Sequence, residues 1–202
     1  MSLVIVSDIF GKTAPLKALA SALQHSVEPS AAHQFPVIID PYDGALPTFE
    51  SERSAYQYFT TNVGIENYVQ IISTALKAKL FHREHPITLL GFSAGASALW
   101  QVVNESFIEN INIDRFIGVY GGQIRYAAEL VPSVPTTLIF PISENHFDVT
   151  SLSRSLNQTK RVNSFQVSYM HGFMNKLSAN FDAQGYDAFI QAFPEHLEKL
   201  AK

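Results

Sequence analysis

A serine, a histidine and two acids occur in the order that nucleophilic catalysis needs. Residues 87–101 read ITLLGFSAGASALWQ: an apolar run leads into Gly91-Phe92-Ser93-Ala94-Gly95, and a helix-like segment follows. Gly-x-Ser-x-Gly between a strand and a helix is the pattern of a nucleophile elbow. The serine takes a strained turn, and its neighbours two positions away must be small so that strand and helix can approach. The turn lifts the hydroxyl above the sheet, and the helix N-terminus behind it offers N–H groups to a developing oxyanion. The plainer alternative is an N-cap serine with glycines for close packing.

A serine nucleophile needs a base, and the base needs an orienting group. Three histidines follow Ser93 in the chain: His146, His171 and His196. His196 stands among Glu195, Glu198 and Lys199 and reads as a surface residue. His146 falls in the loop after an apolar run at 136–140. His171 comes directly after the last strand-like segment, in YMHGFMN, where the partner of an elbow serine is expected. The loop FPISENHFDVTSL offers two acids, Glu144 and Asp148. Glu144 lies at a suitable distance past the strand. Asp148 stands just before a helical segment, where it also fits an N-cap.

These residues must be positioned by a scaffold, and the hydrophobic pattern supplies one. Six apolar runs read as strands, at 3–6, 36–39, 87–90, 115–120, 136–140 and 165–170. Helical periodicity marks 13–24, 65–81, 94–107, 149–156 and 186–200. Strands apolar on both faces and separated by helices predict a parallel sheet covered on both sides, in a single α/β domain over 1–202. Segments 43–58 and 178–185 read as irregular. In such sheets ligands bind beyond the carboxyl ends of the strands, so the loops after Val6, Ile39, Leu90, Tyr120, Phe140 and Met170 matter most.

Composition narrows the function. Of 202 residues 47% are apolar, enough for a sizeable core, and the formal net charge of −4 disfavours nucleic acid or an anionic membrane as partner. The chain has no cysteine, which excludes disulfides and thiolate chemistry. The uncharged stretch 86–104 fails as a membrane span because Gly91, Ser93, Gly95, Ser97, Gln101 and Asn104 interrupt it. MSLVIVSDIFG lacks the basic and long apolar regions of a signal peptide, so a cytoplasmic location is expected. His82 and His85 have no nearby ligand set and read as loop residues; no metal or cofactor is expected.

The chain also resembles the dienelactone hydrolase family of α/β-hydrolases along nearly its whole length. Asp8-Ile9-Phe10-Gly11 resembles that family's Glu-Ile-Phe-Gly loop. Ile39-Asp40-Pro41-Tyr42 resembles its Pro-Asp-hydrophobic-Tyr turn, and Gly91 to Gly95 its elbow. Val119-Tyr120-Gly121, His146-Phe147 and His171-Gly172-Phe173 are similar to the loops that follow. The resemblance implies a compact α/β-hydrolase fold, with a mostly parallel central sheet and helices on both faces. The departures are specific. Serine replaces the cysteine nucleophile of dienelactone hydrolase itself. Asn145 replaces the acid before His-Phe, which moves that role to Glu144 or Asp148. Asn175 stands where dienelactone hydrolase has an arginine for its substrate carboxylate, which argues against a dienelactone substrate.

The resulting expectation is a serine ester hydrolase acting on a small ester or lactone. Ser93, His171 and Glu144 (or Asp148) would form the triad, and the backbone N–H groups of Ala94 and Ile9 the oxyanion hole. Asp8 stands where the family has a glutamate that touches the nucleophile; it would do the same or fix the oxyanion loop. Asp8, Phe10, Tyr42, Phe92 and Tyr120 are expected around the substrate. Acyl transfer or thioester hydrolysis on the same triad, and a non-catalytic binding protein on the same scaffold, are the alternatives.

Overall fold

The computed structural model describes residues 2–27, 36–45, 47–80 and 86–194. Six strands, β1 (Ser2–Val6), β2 (Val37–Ile39), β3 (Ile87–Phe92), β4 (Ile113–Val119), β5 (Thr136–Phe140) and β6 (Val162–Gln166), form one sheet in the order β2-β1-β3-β4-β5-β6. Every neighbouring pair is parallel. Six α-helices accompany them among the described residues: α1 (Ala14–Val27), α2 (Glu52–Asn62), α3 (Gly64–Leu80), α4 (Ala94–Val102), α5 (Val149–Leu156) and α6 (Ala183–Ala192).

The two-residue period of the strands feeds two separate cores. Val4, Val6, Leu89, Phe116 and Leu138 point to one side, where they pack with Tyr68 and Ile72 of α3, Leu99 and Trp100 of α4, and Leu156 of α5. Leu3, Ile5, Leu90, Ile117 and Ile139 point to the other, against Leu19 and Leu23 of α1 and Phe189 of α6. Burial on both faces is why these strands read as continuous apolar runs rather than alternating ones. The chain steps from β1 to one side of the sheet and then returns to the other with β3. The ends of β1 and β3 therefore flank a switch point, where a crevice opens.

Four elements differ from the sequence expectation. Segment 43–58, expected to be irregular, contains most of α2. That helix is polar, buries only Ala55 and Phe59, and starts from a capping box between Ser51 and Ser54. Helix α4 stops at Val102 instead of 107: Asn104 Nδ2 donates to Trp100 O (2.8 Å), satisfying a carbonyl of the last turn, and a 3-10 helix follows at Ser106–Asn110. The last strand is Val162–Gln166, earlier than 165–170. Its polar centre is satisfied from α5 and its C-cap, by a Ser153–Ser164 hydroxyl contact at 2.8 Å and by Asn157 Oδ1, which accepts Ser164 N–H at 2.7 Å. Helix α6 begins at Ala183, capped by Asp182, which accepts the Gly185 N–H at 2.8 Å. His82, His85 and His196 lie outside the described residues.

Candidate active site

The elbow is built by exclusion of side chains on both sides of Ser93. A Cβ on Gly95 would lie 2.3 Å from Ser7 O, and one on Gly91 2.7 Å from Ala96 Cα. Only glycine lets α4 seat so tightly against the ends of β1 and β3. Ser93 itself has φ 50° and ψ −113°, a conformation that L residues rarely adopt. Its N–H donates to Val119 O (2.9 Å), which ties the strained turn to β4. The Ser97 hydroxyl donates to Ser93 O (3.1 Å) and accepts the Gln123 N–H (3.2 Å), coupling the elbow to the next loop.

Two further strand-end loops bring their side chains to this serine. Ser93 Oγ donates to His171 Nε2 at 3.0 Å. His171 Nδ1 donates to Glu144 Oε1 at 2.6 Å, a short charge-assisted geometry. Both groups are largely shielded, with side-chain exposures of 29% and 17%. The imidazole rests on the buried ring of Tyr120, centroid to centroid 4.8 Å. Tyr120 has φ 42°, so a second strained residue lies directly beneath the base. The His171 backbone is held by Asn180 Nδ2, which donates to His171 O at 3.0 Å, and the chain turns at Gly172 with φ 86°.

Asp148, the alternative acid, is engaged elsewhere. Its Oδ1 accepts the Ser151 N–H (3.1 Å) and its Oδ2 the Ser151 hydroxyl (2.6 Å), so it is the N-cap of α5. The Ser151 hydroxyl and N–H bonds hold its carboxyl below the usual aspartate range. Among the described residues, Glu144 is the carboxylate bonded to His171.

The loop after β1 supplies the other side of the site. Ile9 and Ala94 line the same cavity as Ser93, and Ala94 opens α4, whose leading N–H groups have no intrahelical acceptor. The Tyr42 hydroxyl donates to Ile9 O (2.5 Å); burial pushes its pKa above the usual tyrosine range and keeps it a donor. Asp8 Oδ1 accepts the Phe10 N–H (2.9 Å) and Oδ2 accepts Asn175 Nδ2 (2.6 Å). Asp8 thus joins the loop after β1 to the loop that carries His171. Loss of hydration pushes its carboxyl up to about 6, against the opposing pull of those two hydrogen bonds.

A cavity of about 510 Å³ opens over Ser93 and His171. Asp8, Phe10 and Tyr120 line it. Phe92 and Tyr42, expected at the substrate, do not line it. Phe92 points to the opposite face of the sheet and packs against Phe189, while Tyr42 sits behind Ile9 in an aromatic cluster with Phe49 and Tyr58. Residues not foreseen from sequence complete the wall: Glu52, Arg53 and Tyr56 of α2, and Arg125 and Tyr126 of the 3-10 helix Gly122–Ala127. The strand-end rule pointed at the second group, since it follows β4 directly. Nothing in the polar stretch of α2 pointed at the first.

A six-stranded parallel sheet, a serine on a strained strand-to-helix turn, and a histidine and acid on later strand ends recur in one architecture. The fold is that of the α/β hydrolases. Solved structures are similar over 95–100% of the chain. A dienelactone hydrolase from Anabaena variabilis is similar with TM-score 0.64 at 13% identity, over 100% of this chain and 88% of that one. A dienelactone hydrolase-like promiscuous phosphotriesterase from metagenomic libraries gives TM-score 0.58 at 12% identity, over 96% and 85%. A lipase-esterase related protein from Clostridium acetobutylicum gives TM-score 0.57 at 11% identity, over 95% and 93%. No protein-family model matches the chain, and no curated protein does. At these identities the likeness concerns the fold. Among the described residues no His, Cys, Asp and Glu group of three or more could hold a metal ion. No described helix is long and apolar enough to cross a membrane.

Proposed function

We propose that this α/β-hydrolase-fold protein is a serine hydrolase of small carboxylic esters. The observation that carries the reading is the continuous relay from Ser93 Oγ through His171 to Glu144, at 3.0 Å and 2.6 Å, on the wall of an open cavity. Ser93 Oγ attacks the ester carbonyl while His171 Nε2 takes its proton. Glu144 holds the Nδ1–H tautomer and stabilises the imidazolium that forms. The carbonyl oxygen becomes an oxyanion, received by the backbone N–H groups of Ala94 and Ile9. His171 then protonates the departing alkoxide, leaving an acyl-Ser93. Water, deprotonated by the same imidazole, attacks that acyl group; the carboxylic acid leaves and Ser93 regains its proton. The sequence uses no cofactor.

The test is hydrolysis of p-nitrophenyl butyrate by the full chain. Wild type is expected to release p-nitrophenol in a protein-dependent way, and S93A and H171A are each expected to lose roughly 10³-fold or more in kcat. A wild type with no turnover of this or other short acyl esters, or an S93A variant as active as wild type, contradicts the proposal.

A further inference from the structure

One cation of the cavity is held by several contacts yet has no role in the relay. Arg125 lies in the 3-10 helix after β4, half-buried on the cavity wall. Its Cζ sits over the Tyr126 ring at 4.2 Å and over the Phe147 ring at 4.7 Å. Its Nη1 donates to Gly122 O (2.5 Å) and its Nη2 to the Tyr126 hydroxyl (2.7 Å). Two rings and two hydrogen bonds fix the guanidinium plane, yet they use only two of its five N–H donors. Among the described residues no carboxylate is paired with it. The acids that share the cavity are engaged elsewhere: Glu144 by His171, Asp8 by Phe10 and Asn175, and Glu52 by Ser178 at 3.4 Å.

We propose that Arg125 is an anion-binding subsite of this cavity, selecting an ester that carries a carboxylate away from the scissile bond. This deepens the serine hydrolase reading and rests on it for the reaction, though not for binding. An arginine in a protein needs an anion or solvent for its unused donors. A planar fork held in place by stacking loses little freedom when it grips a carboxylate through two parallel N–H bonds. The Tyr126 and Phe147 rings also cover part of the guanidinium, which leaves recognition to its unused N–H groups. Arg53, on α2, is the contrasting cation. It lines the cavity too, but it is exposed and no ring stack or hydrogen bond fixes it among the described residues. Its position is not preorganised, and its contribution to anion selection is correspondingly smaller.

The experiment compares matched substrates and matched variants. Mono-p-nitrophenyl glutarate against p-nitrophenyl valerate places the charge on the acyl side; 4-(butyryloxy)benzoate against phenyl butyrate places it on the leaving group. Wild type is expected to favour the anionic member of one pair in kcat/KM. R125Q is expected to lower that anionic-to-neutral ratio by roughly tenfold to hundredfold, R125K to fall between, and R53Q to lower it by no more than about threefold. Raising salt from about 0.05 M to about 0.5 M is expected to weaken the wild-type preference, a readout that needs no variant to fold. A ratio unchanged in both R125Q and R125K, or equal losses on charged and neutral esters, overturns the subsite. Calorimetric binding of mono-p-nitrophenyl glutarate to S93A separates this from failure of the hydrolase reading. Charge-selective binding to S93A that is lost in S93A/R125Q supports the subsite even if wild type turns over no ester. Equal binding of the glutarate and valerate esters to S93A overturns it.

Discussion

Two groups of residues line the cavity, and they are built in opposite ways. Ser93 directly follows β3, Glu144 and His171 stand on the loops leaving β5 and β6, and their half-buried side chains are bonded in series. Arg53, Tyr56, Arg125 and Tyr126 stand on a polar helix and a 3-10 helix, and Tyr56 and Tyr126 are 53% and 74% exposed. The first group is fixed by a scaffold that cannot move without breaking the core. In the second, Arg125 and Tyr126 are held by contacts of their own side chains, while Arg53 and Tyr56 stand exposed on α2. Changes in the first group are therefore expected to act on chemistry or folding, and changes in the second on which ester is preferred and how tightly it is held.

Four tests, using five substitutions, probe that contrast. The largest effect is expected from G95A. The added Cβ would meet the backbone oxygen of Ser7 at 2.3 Å, where no flexible side chain can yield, so thermal or urea unfolding should show a loss of about 3 kcal/mol or more. An unchanged melting temperature would mean that the elbow is not the rigid element described. Next comes the acid. E144Q keeps the shape but lets the imidazole adopt the wrong tautomer, and kcat on p-nitrophenyl butyrate is expected to fall roughly 10²- to 10⁴-fold. D148A loses only the N-cap of α5, with a melting temperature lower by roughly a few degrees and kcat within about threefold of wild type. The reverse pattern would exchange the two acids.

Third is Asp8, whose carboxyl burial raises from 3.8 to about 6. Between those values the folded state keeps a proton that the unfolded chain has released. Its contribution to stability is thus fully present below about 3.8 and is lost as pH rises through about 6. Melting temperatures of wild type and D8N, measured from about pH 4 to about pH 7.5, should diverge in favour of D8N as pH rises. Access of Asp8 to the cavity limits the divergence to roughly a few degrees. A difference that does not vary with pH contradicts the shift. The smallest effect is expected from Y126A, which removes one stacked ring from Arg125. KM for an anionic ester should rise roughly three- to tenfold with kcat nearly unchanged. A fall in kcat alone would place Tyr126 with the chemistry instead.

What could be read from sequence follows the same division. The elbow was legible because its requirements are local: two glycines flank Ser93, and an apolar run precedes it and a helix follows. His171 was legible from its place at a strand end. The acid was ambiguous because an N-cap and a triad acid draw on the same residue types, and Asp148 met the local criteria for both. Strand β6 was displaced because its polar centre is satisfied by Ser153 and Asn157, partners that lie outside the strand. Helix α2 was missed because two buried residues carry too little periodicity. The fixing of Arg125 rests on Phe147, a contact between two loops that no local pattern encodes.

The most direct test of the Ser93–His171–Glu144 relay is covalent labelling with a fluorophosphonate, read by intact mass and peptide mapping. One adduct is expected, on the peptide containing Ser93, absent in S93A and formed roughly 10²-fold or more slowly in H171A. No adduct on folded wild-type protein, or an adduct on another residue that persists in S93A, would contradict the account.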